Sequence, residues 1–192
     1  MSPFWTCCQM VHAEPVQQPK VHIVTSMGEF VIQLNPQAAP KTVDNFLSYV
    51  NSGFYTNTTF HRVIKQFMIQ GGGLSSDLKS KSTNDPIPNE ADNGLKNLRG
   101  TIAMARTMDP NSATAQFFIN TKNNSFLDFK AKTMQGWGYC VFGMVISGMD
   151  VIDAIENVET TSISGHDDVP KTPILIQKAF TEDTLSKQPS HP

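Results

Sequence analysis

A chain of 192 residues holds one sizeable domain with tails. Its 15 Lys and Arg against 17 Asp and Glu leave a formal charge of −2 with no block of like charge, which excludes a mainly electrostatic nucleic-acid or membrane-surface binder. No apolar run approaches the roughly 18–20 residues a helix needs to span a bilayer, so no membrane anchor is expected.

Residues 1–19, MSPFWTCCQMVHAEPVQQP, carry no Lys or Arg and follow neither a helical nor a strand period, so they are read as an extension outside the domain. VHAE at 11–14 resembles a signal-peptidase site, with cleavage after Ala13. Export to the periplasm is the favoured expectation, although the segment lacks a basic start and reads as an incomplete leader; a cytoplasmic protein is the alternative. Cys7, Cys8 and His12 match no zinc spacing, and with Cys140 they make no disulfide framework. Neither a metal nor a cofactor is expected.

The domain, placed at 20–182, opens with VHIVT (21–25) and EFVIQL (29–34), two β-rich runs joined by a hairpin signal at Ser26-Met27-Gly28. APKTVDNFLSYVNSG follows, with Val43, Phe46, Leu47 and Val50 at helical spacing and Gly53 as its stop. TTFHRVI (58–64) and FMIQ (67–70) read as strands. Gly71, Gly72 and Gly73 read as a tight turn leaving the second, before a polar loop from about 74 to 98. TIAMAR (101–106), QFFINT (116–121) and GYCVFGMVI (138–146) are further strands. MDVIDAIE (149–156) is a short helix, and TPILIQKAF (172–180) is the last strand, before a solvated tail at 183–192. About eight short strands and two helices predict a mainly β protein: a closed eight-stranded antiparallel barrel with a helix over each open end.

The usual catalytic constellations are missing. No phosphate loop, GxSxG or HExxH occurs, and the acids of NEADNG and HDDV read as solvated loop carboxylates. His61 has no nucleophile to serve and reads as a structural histidine. What stands out is FHRVIKQFMIQGGG (60–73), where a permanent cation sits in a β-branched, aromatic run. Arg62, Gln70 and Gln116 lie among Phe60, Phe67, Met68, Phe117, Phe118, Phe126 and Leu127, a set that suits an apolar pocket with a fixed cation and a few amides at its rim. Such a pocket fits a neutral, partly apolar ligand that bears carbonyls.

These stretches, with RGTIAMAR, AQFFINT, FLD and GYCVFG in register from about 21 to 180, resemble the cyclophilin family of peptidyl-prolyl cis–trans isomerases, most closely its bacterial branch. The resemblance implies the barrel described above and an enzyme that rotates X–Pro bonds without cofactor, assisting the folding of proline-containing clients. It implies that Arg62, with Phe67 and Gln70, is catalytic, and that Phe67, Met68, Phe118 and Leu127 wall the proline pocket. It makes Gln70 and Gln116 the amides that position substrate backbone, and Ala105 and Arg106 the strand end that holds the residues preceding proline. Because strand alternation would separate Phe67 from Gln70, an irregularity is expected there. Phe126 and Tyr139 stand where many eukaryotic members carry tryptophan and histidine. The missing indole N–H predicts weak cyclosporin binding with activity retained. A monomer is expected, and a non-catalytic proline-binding or chaperone module is the alternative function; a hydrolase is disfavoured by the missing nucleophile–base pair.

Overall fold

The computed structural model describes residues 18–182. Cys7, Cys8, His12 and the expected cleavage after Ala13 lie outside the described residues, as does the tail from 183. The elements run β1 (Lys20–Thr25), β2 (Gly28–Leu34), α1 (Pro40–Asn51), β3 (Thr58–Ile64), β4 (Met68–Ser75), β5 (Thr101–Met104), β6 (Phe117–Asn120), β7 (Val141–Ser147), α2 (Met149–Glu156), β8 (Thr160–Ile163), β9 (His166–Pro170) and β10 (Leu175–Thr181).

Eight strands close into an antiparallel barrel in the order β1-β10-β3-β4-β6-β5-β7-β2, as expected. Alternation builds it: Val21 and Ile23 of β1, and Phe30, Ile32 and Leu34 of β2, are fully buried while their neighbours along the strands are not. In α1, Phe46 sits among Tyr55, Phe117 and Phe142, with ring centroids 5.2–5.7 Å apart. Full burial of each such ring contributes about 1.5–3 kcal/mol. These rings stand at the starts of β3, β6 and β7, so α1 covers that end of the barrel. The other helix meets the opposite end. Val151 lies against Gly28 at the start of β2, and Glu156 accepts a hydrogen bond from Gln66 N just after β3.

Three expectations need correction. The glycines do not form a turn: Gly71–Gly73 continue β4 to Ser75. Gly72 sits at φ +82, and a Cβ there would meet the rings of Phe117 and Tyr55 at 2.7–2.9 Å, so glycine serves close approach within a strand. HDDV is not a loop; it lies in β9, which pairs with β8 in a separate two-stranded sheet beside β3. Nor is Glu90 of NEADNG merely solvated. Its carboxylate accepts hydrogen bonds from Lys41 N, Thr42 N and Thr42 Oγ1, capping the first turn of α1. Cys140 is buried, and burial pushes its thiol up to about 11, which leaves it inert at neutral pH.

Candidate active site

The site lies on the outer face of β3, β4, β6 and β5, neighbours in the barrel. On β3 the register moves from Phe60↔Gly71 to Arg62↔Gln70, so His61 is one extra residue and makes a bulge. The bulge turns Phe60 and Val63 into the core while Arg62 stands outside, directly across from Gln70. His61 itself is buried away from the pocket. Burial, followed by the nearby His166 and Arg62 charges, holds its pKa down to about 4, so it is neutral at pH 7. Arg62 is exposed, and its guanidinium makes no hydrogen bond or ion pair with the described residues, which leaves its donors open to a ligand.

The expected irregularity at Phe67 is present in a particular form. Phe67 is not part of β4 but of the turn before it, in which Gln66 takes φ +60. Leaving the strand frees Phe67 from the alternation that puts Met68 and Gln70 outside and Ile69 in the core. Its ring stacks on Phe126, with centroids 5.6 Å apart and planes 27° apart.

Met68 and Phe118 form a floor with Ala103 and Val141, a small apolar cluster separate from the main core. Leu127, Ala105 and Tyr139 are half-buried against it, and the Tyr139 ring stands edge-on to Phe118 at 5.6 Å. The resulting cavity of about 180 Å³ is lined by Arg62, Phe67, Met68, Gln70, Ala105, Arg106, Phe118, Leu127 and Tyr139. Phe60 and Phe117 of the candidate set turn into the main core instead, and two further expected residues stand apart from this lining. Gln116, just before β6, reaches it only by accepting a 3.0 Å hydrogen bond from Gln70 Nε2. Phe126 lies outside the rim and is 62% exposed. Arg106 and Ala105 fall beyond the end of β5. Arg106 is already engaged: Nε donates to Gly138 O at 2.9 Å, Nη1 donates to Thr107 O at 2.8 Å, and the guanidinium covers the Tyr139 ring at 4.6 Å.

Sequence reasoning missed the scaffold behind the pocket. Asn97, Asn120 and Asn124 are essentially buried. Asn124 Nδ2 donates to Phe67 O at 2.9 Å and to Asn120 Oδ1 at 2.8 Å, and Asn120 Nδ2 donates to Asn97 Oδ1 at 3.2 Å. Leu127 N donates to Asn124 O, and Tyr139 N to Leu127 O, both at 2.9 Å. One amide chain thus fixes three pocket residues, which a buried polar group can do only when it is satisfied. The signal was an asparagine ending the apolar strand FFIN. No group of three or more His, Cys, Asp or Glu able to hold a metal occurs among the described residues. An apolar cavity with an unengaged cation and paired amides, lacking a nucleophile, suits binding and electrostatic stabilisation rather than bond cleavage.

Comparison with known proteins agrees with this chemistry. Residues 20–181 match the family described as cyclophilin type peptidyl-prolyl cis-trans isomerase/CLD. A peptidyl-prolyl cis-trans isomerase of Streptomyces antibioticus is 60% identical over 159 residues, covering 83% of this chain and 96% of its own. Peptidyl-prolyl cis-trans isomerase B of Escherichia coli (strain K12) is 57% identical over 159 residues, covering 83% and 97%. The crystal structure of a Cryptosporidium parvum cyclophilin-type isomerase, determined in the presence of the dipeptide Ala-Pro, superposes with a TM-score of 0.64. It is 31% identical and covers 84% of this chain and 97% of that one. The chain therefore belongs to the cyclophilin-type peptidyl-prolyl cis-trans isomerases.

Proposed function

We propose that this isomerase accelerates rotation about X–Pro bonds of proline-containing polypeptides by holding the proline ring in the 180 Å³ pocket and directing Arg62 at the prolyl nitrogen. The barrier is amide resonance, roughly 18–20 kcal/mol, which leaves an X–Pro bond exchanging in about 10–100 s at 25 °C. Twisting the bond returns a lone pair to nitrogen. A guanidinium donor there stabilises the twisted form over either planar one, which is all that catalysis requires. No bond to substrate forms or breaks, so no nucleophile is needed.

The observation that carries this reading is the pairing of Arg62 with Gln70 across the bulge, both facing one apolar cavity. Phe67, Met68, Phe118 and Leu127 take the ring, while Gln70, coupled to Gln116, offers amide groups to the substrate backbone. Ala105 and Arg106 border the path of the flanking chain.

An Ala-Pro peptide followed by exchange NMR tests the function. Catalytic amounts of protein should speed cis–trans exchange with the peptide mass unchanged. Peptide that binds without faster exchange would make this a proline-binding module instead. Phe126 offers cyclosporin a stacked phenyl ring without an N–H donor, so weak binding is predicted. Titration calorimetry giving a sub-micromolar Kd contradicts that prediction.

A further inference from the structure

Beside the proline pocket the surface opens into a second, larger groove of about 560 Å³. It shares Arg106 and Tyr139 with the pocket and is walled by Met108, Phe126 and Met134. Those three side chains are 82%, 62% and 61% exposed. They are three of the eight exposed large apolar side chains among the described residues, and their convergence is unlike the single scattered ones that any surface carries.

Both walls are built in advance. The Met108 turn is braced by Thr107 N and Oγ1 on Ser112 Oγ, at 2.9 and 2.8 Å. The Met134 turn is closed by Lys130 N donating to Gly136 O at 2.7 Å and Gly136 N donating to Thr133 O at 3.0 Å. Arg106 ties the two sides together through Gly138 O and Thr107 O. Fixed walls lower the ordering cost of binding, while methionine side chains adapt to several apolar shapes. No carboxylate lines the groove, and its one guanidinium is already engaged.

We propose that this groove is a second subsite of the isomerase, taking a large apolar side chain (Leu, Met or Phe) of the client one or two residues from the proline. The inference rests on the isomerase reading. Its occupant follows from continuity: Phe126 stacks on Phe67 of the pocket, and an extended chain advances about 3.3–3.6 Å per residue. A client whose ring fills the pocket therefore lays its next side chains across the shared Arg106–Tyr139 wall. No other ligand is tethered there by the reaction itself.

The test compares X–Pro peptides carrying Gly, Leu, Phe or Glu at each flanking position, using wild type and the Met108→Ser/Met134→Ser double variant. Wild type should process the best Leu or Phe peptide about tenfold faster in kcat/KM than its Gly counterpart, an effect of the size apolar pockets give. The variant should lower that ratio to about twofold or less. In wild type with 13C-methyl methionine, the Met108 and Met134 signals should move with the Leu or Phe peptide and stay put with the Gly peptide. A ratio near one in wild type, or an undiminished ratio in the variant, overturns the subsite. So do methyl signals that respond to protein concentration but not to peptide, which would mark the groove as a contact between copies of this chain. Failure of the isomerase reading looks different: the Gly peptide itself would not be accelerated.

Discussion

Along β4 and β6, adjacent residues serve two surfaces that scarcely resemble each other. Ile69, Phe117 and Ile119 point into the barrel and are fully buried in the main core. Met68, Gln70 and Phe118 point out and line a cavity whose Arg62 is left open to solvent. The inner face is satisfied by the protein's own side chains. The outer face is apolar with an uncommitted cation, and only a ligand completes it. One strand can thus carry the fold on one side and the chemistry on the other, because its side chains alternate with period two.

That division is broken most severely from the inside. Phe117→Ala removes a ring packed against Phe46, Tyr55 and Phe60 and should cost about 3–5 kcal/mol of stability, read as a lower urea midpoint. Its kcat/KM, measured below that midpoint, should stay within about threefold of wild type, roughly the noise expected for an indirect effect.

Next in size is acid sensitivity at the bulge. His61 has its pKa lowered to about 4 in the folded protein, against an ordinary value of 6.5. Between those values the unfolded chain binds the proton and the folded one does not, so stability falls as pH drops from about 6.5 to 4. The loss approaches 3 kcal/mol as an upper order of magnitude. Chemical denaturation at pH 7 and pH 4.5 should show His61→Leu losing less stability than wild type on acidification; equal losses would remove His61 from the account.

The mildest probe uses two consecutive glycines. Gly72→Ala places a Cβ at φ +82 against the Phe117 and Tyr55 rings and should cost about 2–3 kcal/mol of stability. Gly73→Ala instead drives a Cβ to 2.3 Å from Gln116 Cγ, displacing the partner of Gln70. It should lower kcat/KM about tenfold with the urea midpoint nearly unchanged, since Gln116 is half-buried at the rim. Reversal of the two outcomes would show that the faces are not separable.

How much of this was legible in the residues varies by region. Helices and barrel strands announced themselves where apolar residues kept a period, as in α1 and β2. The run through Gly71–Gly73 was misread because glycine has no side chain with which to show alternation. The β8–β9 pair was missed because TTSI and HDDVP bury little, and their polar composition reads as loop. At the site, a cation inside FHRVI was a visible anomaly, but the aim of Arg62 depends on a bulge at His61 that only pairing register reveals. The buried asparagines resemble turn formers in sequence; their role needs three segments, around 67, 97 and 120–124, brought together by folding. The individual roles came from family likeness, not from periodicity.

The central claim is that Arg62 performs the chemistry while contributing nothing to the fold. Exchange NMR on an Ala-Pro peptide with Arg62→Ala, paired with the urea midpoint of the same sample, tests it most directly. The account predicts acceleration reduced by about 10²–10³-fold, the scale of a lost transition-state donor, with the midpoint unmoved. Undiminished acceleration, or activity and midpoint falling together, would contradict it.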